Sequence, residues 1–266
     1  MDLGIANKVA LVTGGSRGIG YGIAKAIAAE GAKVAICSRD EAAAKKAAGE
    51  LSKATGGKVI GLRADMANPD DIKALVAATV RELGGLDILV NNAATIGGTG
   101  GPDTLAQLNE ALLHADFEVK VLGYLRASKE AYPHMEAKGW GRIVNVDGMA
   151  ARMAAGVSGG IRNAAVVNAT KVLSEELGPK GITVNVVHPG ATKTPTLDWR
   201  LKPQMERTGK TQEQIEADMA AGLAIRRLVT PDDIGNCVAL LCSAQAATIT
   251  GESISVAGGA TKAVFY

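Results

Sequence analysis

The sequence predicts one doubly wound α/β domain spanning residues 1–266, built on a parallel sheet of about seven strands. Three observations carry this expectation. Short apolar, β-branched runs recur along the chain, each followed by a segment with helical patterning. The runs lack the apolar/polar alternation of a sheet with one wet face, so they belong to a sheet covered on both sides. A chain of 266 residues also suits one large α/β unit with right-handed crossovers.

Taken in order, "KVALVT" (Lys8–Thr13) is the first strand and Ile19–Glu30 the helix behind it. "KVAICS" (Lys33–Ser38) is the second strand, and Asp40 caps the Ala-rich helix that follows. "KVIGLRAD" leads to a helix with Asn68 as its cap and Pro69 at its first position. "LDILVNN" leads to a long helical region from about Asp103 to Lys138. "GRIVNV" precedes the helix that contains "SGGIRNAAVVNATK" (Ser158–Lys171), and "GITVNVVHPG" follows it. "PDDIGNCVALLCS" closes the chain's helices and "ESISVAGG" its strands. Residues 194–222 break the rhythm, being polar and charged with two prolines, and are expected to form a lid over a site.

Composition excludes several classes. Lys and Arg number 29 against 27 Asp and Glu, with both signs interspersed, which gives neither a nucleic-acid nor a membrane surface. No apolar run approaches the ~18 residues of a spanning helix, and the first residues carry no cleavable signal pattern, so a soluble cytoplasmic protein is expected. Cys37, Cys237 and Cys242 sit in apolar runs without metal-ligand spacing; no metal site is expected, and the cysteines read as core residues of a reducing compartment.

The most specific local signal is "TGGSRGIG", Thr13–Gly20, between the first strand and its helix. Glycines at 14, 18 and 20 permit a tight turn and close approach to a pyrophosphate, which the helix N-terminus then meets with open N–H groups. Gly14, Ser16, Arg17, Gly18, Ile19 and Gly20 are therefore candidate dinucleotide contacts. At the end of the second strand stand Ser38 and Arg39, where a carboxylate would be needed to hold a ribose 2′-hydroxyl. Arg39 and Arg17 offer guanidinium groups for a 2′-phosphate instead, which favours NADP(H) over NAD(H). Asp65 and Met66, after the third strand, suit the adenine edge.

In these residues, together with "LVNNAA" (89–94), "GRIVNV" (141–146), "GITVNVVHPGATKT" (181–194) and "TGESISVAGG" (250–259), the chain resembles the short-chain dehydrogenase/reductase family over nearly its whole length. The resemblance implies a Rossmann-type sheet, oxidation or reduction of a small-molecule alcohol or carbonyl, and a homo-oligomer, usually a tetramer, otherwise a dimer. It places Asn91 as a tie within the central sheet, and Asn92 and Ala93 near the adenine-side ribose. Pro189, Gly190, Thr192 and Thr194 match the loop that holds the nicotinamide carboxamide. Ala94 departs from the family's usual glycine.

The family's catalytic group consists of a serine, a tyrosine, a lysine four residues later and an asparagine. Carried onto this chain, those positions are Gly148, Gly159, Asn163 and Lys120. The one Tyr-x-x-x-Lys, Tyr21 to Lys25, lies on the helix after the glycine loop, away from any hydride path. Lys120 and Asp147, next to the vacated serine position, are the candidate replacements: a pair reaching across the cleft to move protons, or a structural ion pair. Arg152 and Arg162 flank the cleft as anion-binding or surface charges, and His188 after the sixth strand is a conceivable acid. Three functions remain open: a reductase or dehydrogenase acting on a carbonyl, imine or activated alkene with a non-standard proton donor, a lyase or isomerase on the same scaffold, or a cofactor-binding subunit or sensor without turnover.

Overall fold

The computed structural model describes residues 2–94, 105–154 and 156–261, with the side chains of residues 199 and 200 left out. Among these residues one seven-stranded sheet runs in the order β3-β2-β1-β4-β5-β6-β7. Its strands are β1 (Val9–Val12), β2 (Lys33–Ser38), β3 (Val59–Arg63), β4 (Ile88–Asn91), β5 (Gly141–Val146), β6 (Ile182–Pro189) and β7 (Ser253–Val256). Every pairing is parallel. The chain direction across the sheet reverses between β1 and β4, and the crevice outside their carboxyl ends is where such folds bind ligands.

The unbroken apolar character of the strands follows from their two faces. Ala10, Val12, Val34, Ile36, Ile88 and Val90 enter one buried cluster, with Ile23, Ile27, Leu51, Ile234 and Val238. Val9, Leu11, Ala35, Leu89, Ile143 and Val184 enter a second, with Ile72, Leu75, Ala127 and Ala131. Successive strand residues thus alternate between two cores rather than between core and water.

The helices are α1 (Gly18–Ala29), α2 (Glu41–Thr55), α3 (Pro69–Leu83), α4 (Glu110–Asp116), α5 (Gly123–Glu136), α6 (Val157–Leu177), α7 (Pro195–Thr208), α8 (Gln212–Ala221) and α9 (Pro231–Cys242). The expected caps are in place. Asp40 Oδ1 accepts from the Ala43 N–H at 3.1 Å, and Asn68 Oδ1 accepts from the Asp70 N–H at 2.9 Å. Gly56 and Gly84 end α2 and α3 in the left-handed conformation.

Two expected segments gain detail. The long helical region runs without a break from Glu110 to Glu136, but not as one α-helix throughout. Its first residues, Asp103 and Thr104, lie outside the described residues; beyond them come a short turn (Leu105–Gln107), α4, a π-helical stretch (Phe117–Leu122) and α5. The wider π turn buries two consecutive residues, Lys120 and Val121; Val121 joins an apolar cluster with Tyr124 and Val166. Such stretches recur at functional sites. Residues 194–222 are also more than a polar excursion. They form α7 and α8, each with an apolar anchor, Leu201 and Ile215. Thr211 and Gln214 complete a capping box on α8.

Helices α1 and α9 cross at backbone contact. A Cβ on Gly22 would stand 2.6 Å from the Pro231 carbonyl oxygen, and one on Gly235 would stand 2.5 Å from the Gly22 oxygen. Gly22→Ala is expected to destabilise the fold by about 1–3 kcal/mol through overpacking, lowering the midpoint of thermal unfolding followed by circular dichroism; an unchanged midpoint would show that the two helices part freely.

Candidate functional site

The glycine loop is a cradle that side chains would fill. Gly14 and Gly18 have φ of +65° and +59°. A Cβ on Gly14 would lie 3.0 Å from Ala93 Cα, and one on Gly20 would lie 2.4 Å from both the Gly14 oxygen and Asn92 Nδ2. Asn92 Nδ2 donates to the carbonyls of Thr13 at 2.9 Å and Gly14 at 3.1 Å. Thr13 Oγ1 accepts from the N–H groups of Asn92 and Ala93. Asn92 and Ala93 therefore hold the loop's shape. Helix α1 begins with Arg17 in the capping position and no side chain on its first-turn N–H groups, which leaves the positive end of the helix open to an anion.

Arg17 and Arg39 are exposed, and among the described residues neither pairs with a carboxylate. Ser38 Oγ accepts from the Asp40 N–H. Asp65 turns its carboxylate onto the Ala67 N–H at 3.0 Å. The Met66 side chain is buried in the second core cluster, so only its backbone is left for a ligand. Ile19 packs against the first cluster, and Ser16 is half-buried. Pro189 ends β6, and Gly190 passes so near β7 that a Cβ would stand 2.7 Å from Ala257 Cα. Thr192 Oγ1 donates to the Gly190 carbonyl. The loop then runs to Thr194, whose Cγ2 lies 3.7 Å from where a Gly18 Cβ would be. The two candidate cofactor loops thus meet.

Past the carboxyl end of β5, at the same end of the parallel sheet as this cradle, lies a buried charge cluster. Lys120 Nζ stands 3.1 Å from Asp147 Oδ1, with the side chains 5% and 0% exposed. The contact is an ion pair without hydrogen-bond alignment, and among the described residues neither Asp147 oxygen accepts a hydrogen bond. Burial pushes the Asp147 carboxyl up to about 6, against the pull of Lys120. Burial also lowers the Lys120 ammonium, with Asp147 opposing and Arg162 assisting the shift. Arg162 itself pairs with the buried Asp116.

The positions that the resemblance assigns to the family's catalytic group are Lys120 of this pair and Gly148, Gly159 and Asn163 around the turn after β5. Asn163 Nδ2 donates to the Gly148 carbonyl at 3.3 Å. A Cβ on Gly159 would lie 3.6 Å from Ala150 Cβ, in the turn after β5. Tyr124 is buried and donates its hydroxyl to the Val146 carbonyl at 2.9 Å, and burial, aided by Asp147, holds its pKa well above the ordinary value. Among the described residues no group of His, Cys, Asp and Glu could hold a metal ion.

His188 was expected after the sixth strand; it lies within β6 and is fully buried. The strand runs further because β7 pairs alongside it, His188 opposite Ser255. Its Nδ1 lies 3.2 Å from the Gly148 carbonyl and its Nε2 lies 2.6 Å from Ser253 Oγ. These partners assign a neutral ring protonated at Nδ1. Burial, with Arg152 nearby, lowers its pKa to about 4. Arg152 is turned away to β7, donating to Ser255 Oγ at 3.1 Å and to the Ser253 carbonyl. Sequence reasoning missed Asp116 and Ser253; no local pattern marks residues that act by pairing across 46 or 65 positions.

A family model described as enoyl-(acyl carrier protein) reductase matches residues 14–261. The short-chain reductase protein NovJ of Streptomyces niveus is 33% identical over 252 residues, covering 94% of this chain and 93% of its own. Human dehydrogenase/reductase SDR family member 4 is 35% identical over 257 residues, covering 96% and 88%. The chain belongs to the short-chain dehydrogenase/reductase family. Among solved structures of similar fold, L-sorbose reductase from Gluconobacter frateurii, complexed with NADPH and L-sorbose, superposes with a TM-score of 0.92 at 31% identity, covering 99% of this chain and 100% of that one.

In this short-chain dehydrogenase/reductase, the lone Tyr-x-x-x-Lys is spent elsewhere: Lys25 pairs with Asp232 of α9 at 3.0 Å. The buried cluster ties stability to pH in two opposite senses. His188 is lowered from 6.5 to about 4, so between these values the unfolded chain binds more protons and stability is lost as pH falls. Asp147 is raised from 3.8 to about 6, so over nearly the same window its contribution is lost as pH rises. His188→Gln should therefore remove the acid-side loss, worth up to about 3 kcal/mol, so that urea midpoints fall less between pH 6.5 and 4 than in the parent. An equal fall in both proteins would show that His188 is already charged in the fold.

Proposed function

We propose that the chain is an NADP(H)-dependent reductase or dehydrogenase acting on a small carbonyl, imine or activated alkene, with Lys120 as its proton donor. The observation that carries this is the buried Lys120–Asp147 pair, 3.1 Å apart just past the carboxyl end of β5, at the same end of the parallel sheet as the glycine cradle after β1. The sorbose reductase complexed with NADPH supports the cofactor assignment. So does the cradle: Gly14, Ser16, Gly18, Ile19 and Gly20 present backbone to a pyrophosphate, and the unpaired Arg17 and Arg39 suit a 2′-phosphate. Ser38, Asp65, Met66, Asn92 and Ala93 border the adenosine side; Pro189, Gly190, Thr192 and Thr194 border the nicotinamide. When bound, the nicotinamide supplies or accepts the hydride.

The protein's own contribution is the proton. Lys120 carries three N–H donors into a site shielded from water, and burial makes its ammonium more acidic than that of a free amine. An acid nearer the working pH gives its proton more readily to the oxygen or nitrogen that gains one. Asp147 is wholly enclosed, so it positions and charges Lys120 rather than touching substrate. That departs from the expectation that both would be catalytic. Gly148 and Gly159 widen the cleft where the family carries side chains. Helices α7 and α8, residues 194–222, act as the lid, and the active form is a homo-oligomer in a soluble compartment.

A second reading, a cofactor-binding subunit without turnover, draws on the same enclosure, since a pair sealed from substrate is only structural. One assay separates the two. NADPH is mixed with a panel of carbonyls, imines and enones, and the nicotinamide absorbance is followed. Steady oxidation supports the reductase; tight NADPH binding with no turnover anywhere supports the subunit. With an active substrate in hand, Lys120→Met is expected to lower kcat by about 10²–10⁴-fold while the NADPH dissociation constant stays within a few-fold. Full activity in that variant would remove Lys120 from the mechanism. Separately, Arg17→Ala with Arg39→Ala should weaken NADPH binding by about tenfold or more and leave NADH binding unchanged; equal loss for both cofactors would refute the 2′-phosphate assignment.

A further inference from the structure

At the opposite end of the strands, by the amino ends of β5 and β6, lies a cleft of about 270 Å³ lined by Trp140, Arg142, Ile182, Thr183, Ala247 and Thr250. We propose that this cleft binds a small oxyanion, a carboxylate or a phosphate group. Its charge is the first reason. Arg142 is only 2% exposed, yet among the described residues no carboxylate pairs with it. Buried charges ordinarily find a counter-ion, and the other deeply placed cations here do: Lys120 has Asp147 and Arg162 has Asp116.

Arg142 is held by carbonyls alone. Its Nε and Nη2 donate to the Ser243 oxygen at 3.3 Å and its Nη1 donates to the Gly141 oxygen at 2.8 Å. That engages three of the guanidinium's five donors. The Trp140 ring takes up Arg142 at 4.4 Å and Lys8 at 3.9 Å, and Lys8 also lacks a carboxylate partner among the described residues. Two cations therefore meet on one ring, and no carboxylate among the described residues pairs with either. The second reason is independent of charge: Thr183 is 7% exposed, and its buried hydroxyl has no hydrogen-bond partner.

The guanidinium fork, a nearby ammonium and an unengaged hydroxyl together match a group with two or three oxygens. The volume lies just under the usual range of ligand pockets, about 300–1,000 Å³, which restricts the ligand to a few heavy atoms beyond the anionic group.

The two tryptophans are Trp140 and Trp199, so Trp199→Phe leaves Trp140 as a fluorescent reporter beside the cleft. That protein is titrated with sodium acetate and with inorganic phosphate, each balanced to constant ionic strength with sodium chloride. A saturable change with at least one oxyanion, weakened threefold or more by Thr183→Val and by Lys8→Met and abolished by Arg142→Met, is the expected result. Saturation by acetate alone assigns a carboxylate ligand, and by phosphate alone a phosphate. Should Arg142→Met fail to fold, the other two variants carry the test. A response no different from that to chloride, or a saturable one that neither variant weakens, overturns the proposal.

Discussion

The site hangs on a belt of side-chain amides at the carboxyl end of the two central strands. Asn91, the last residue of β4, donates to Asn145 Oδ1 on β5 at 2.9 Å and to Ser128 Oγ on α5 at 3.2 Å. Asn145 donates in turn to Thr170 Oγ1 on α6 at 2.9 Å. These groups are buried between layers where water does not reach, so their donors find partners inside the protein, while Asn91 Oδ1 accepts from none of the described residues. The sheet is thereby pinned to α5 and α6 at fixed heights. The π-helical stretch before α5 and the first turns of α6 then project beyond the strand ends. Lys120 sits on the first and Asn163 on the second, which is why residues 43 positions apart in sequence share one cleft with Asp147.

That placement sets the electrostatics. Lys120, Asp147, Asp116 and Arg162 form two ion pairs that feel one another: Arg162 lowers Lys120, and Asp116 raises it. His188 lies 3.7 Å from the second Asp147 oxygen but is kept neutral chiefly by burial, against the pull of the Gly148 carbonyl. It therefore does not compete with Lys120 for the carboxylate. The cluster has two cations and two anions, with a neutral imidazole closing its far side.

What could be read from the sequence follows the range of the interactions. Strands, caps and the glycine loop depend on neighbours a few residues away, and β2 begins and ends where the pattern puts it. The Lys120–Asp147 contact was also legible, but only because a known arrangement of strand and helix ends already assigned both residues to one cleft. The π stretch was not. Its periodicity differs from that of an α-helix over only Phe117–Leu122, too short a run to be seen in an apolar pattern. The partners of Arg162 and His188 were also hidden, since residue type names a donor or an acceptor and not which of many distant groups will meet it. The apolar anchors of α7 and α8 are single residues in charged segments, below the threshold of any periodic signal.

The cluster's enclosure bears on how a lysine can serve as an acid. In the family pattern a tyrosine gives the proton and a neighbouring cation makes it acidic. Here the donor would itself be the cation, and its neighbour is a carboxylate that favours the charged form. Desolvation works the other way and is the larger effect, so the ammonium ends up more acidic than in water. Once it has given up its proton, Asp147 is left as a buried anion with no hydrogen bond from the described residues. An uncompensated charge in that position is costly, so the proton affinity of the pair rises at the moment Lys120 becomes neutral. The two groups titrate as one unit. On the proposed reading, such a pair would release a proton when a substrate atom gains negative charge beside Lys120, and the buried carboxylate would then favour return of a proton to the lysine. Enclosure, which argues against Asp147 as a direct participant, is what would let it reset its partner.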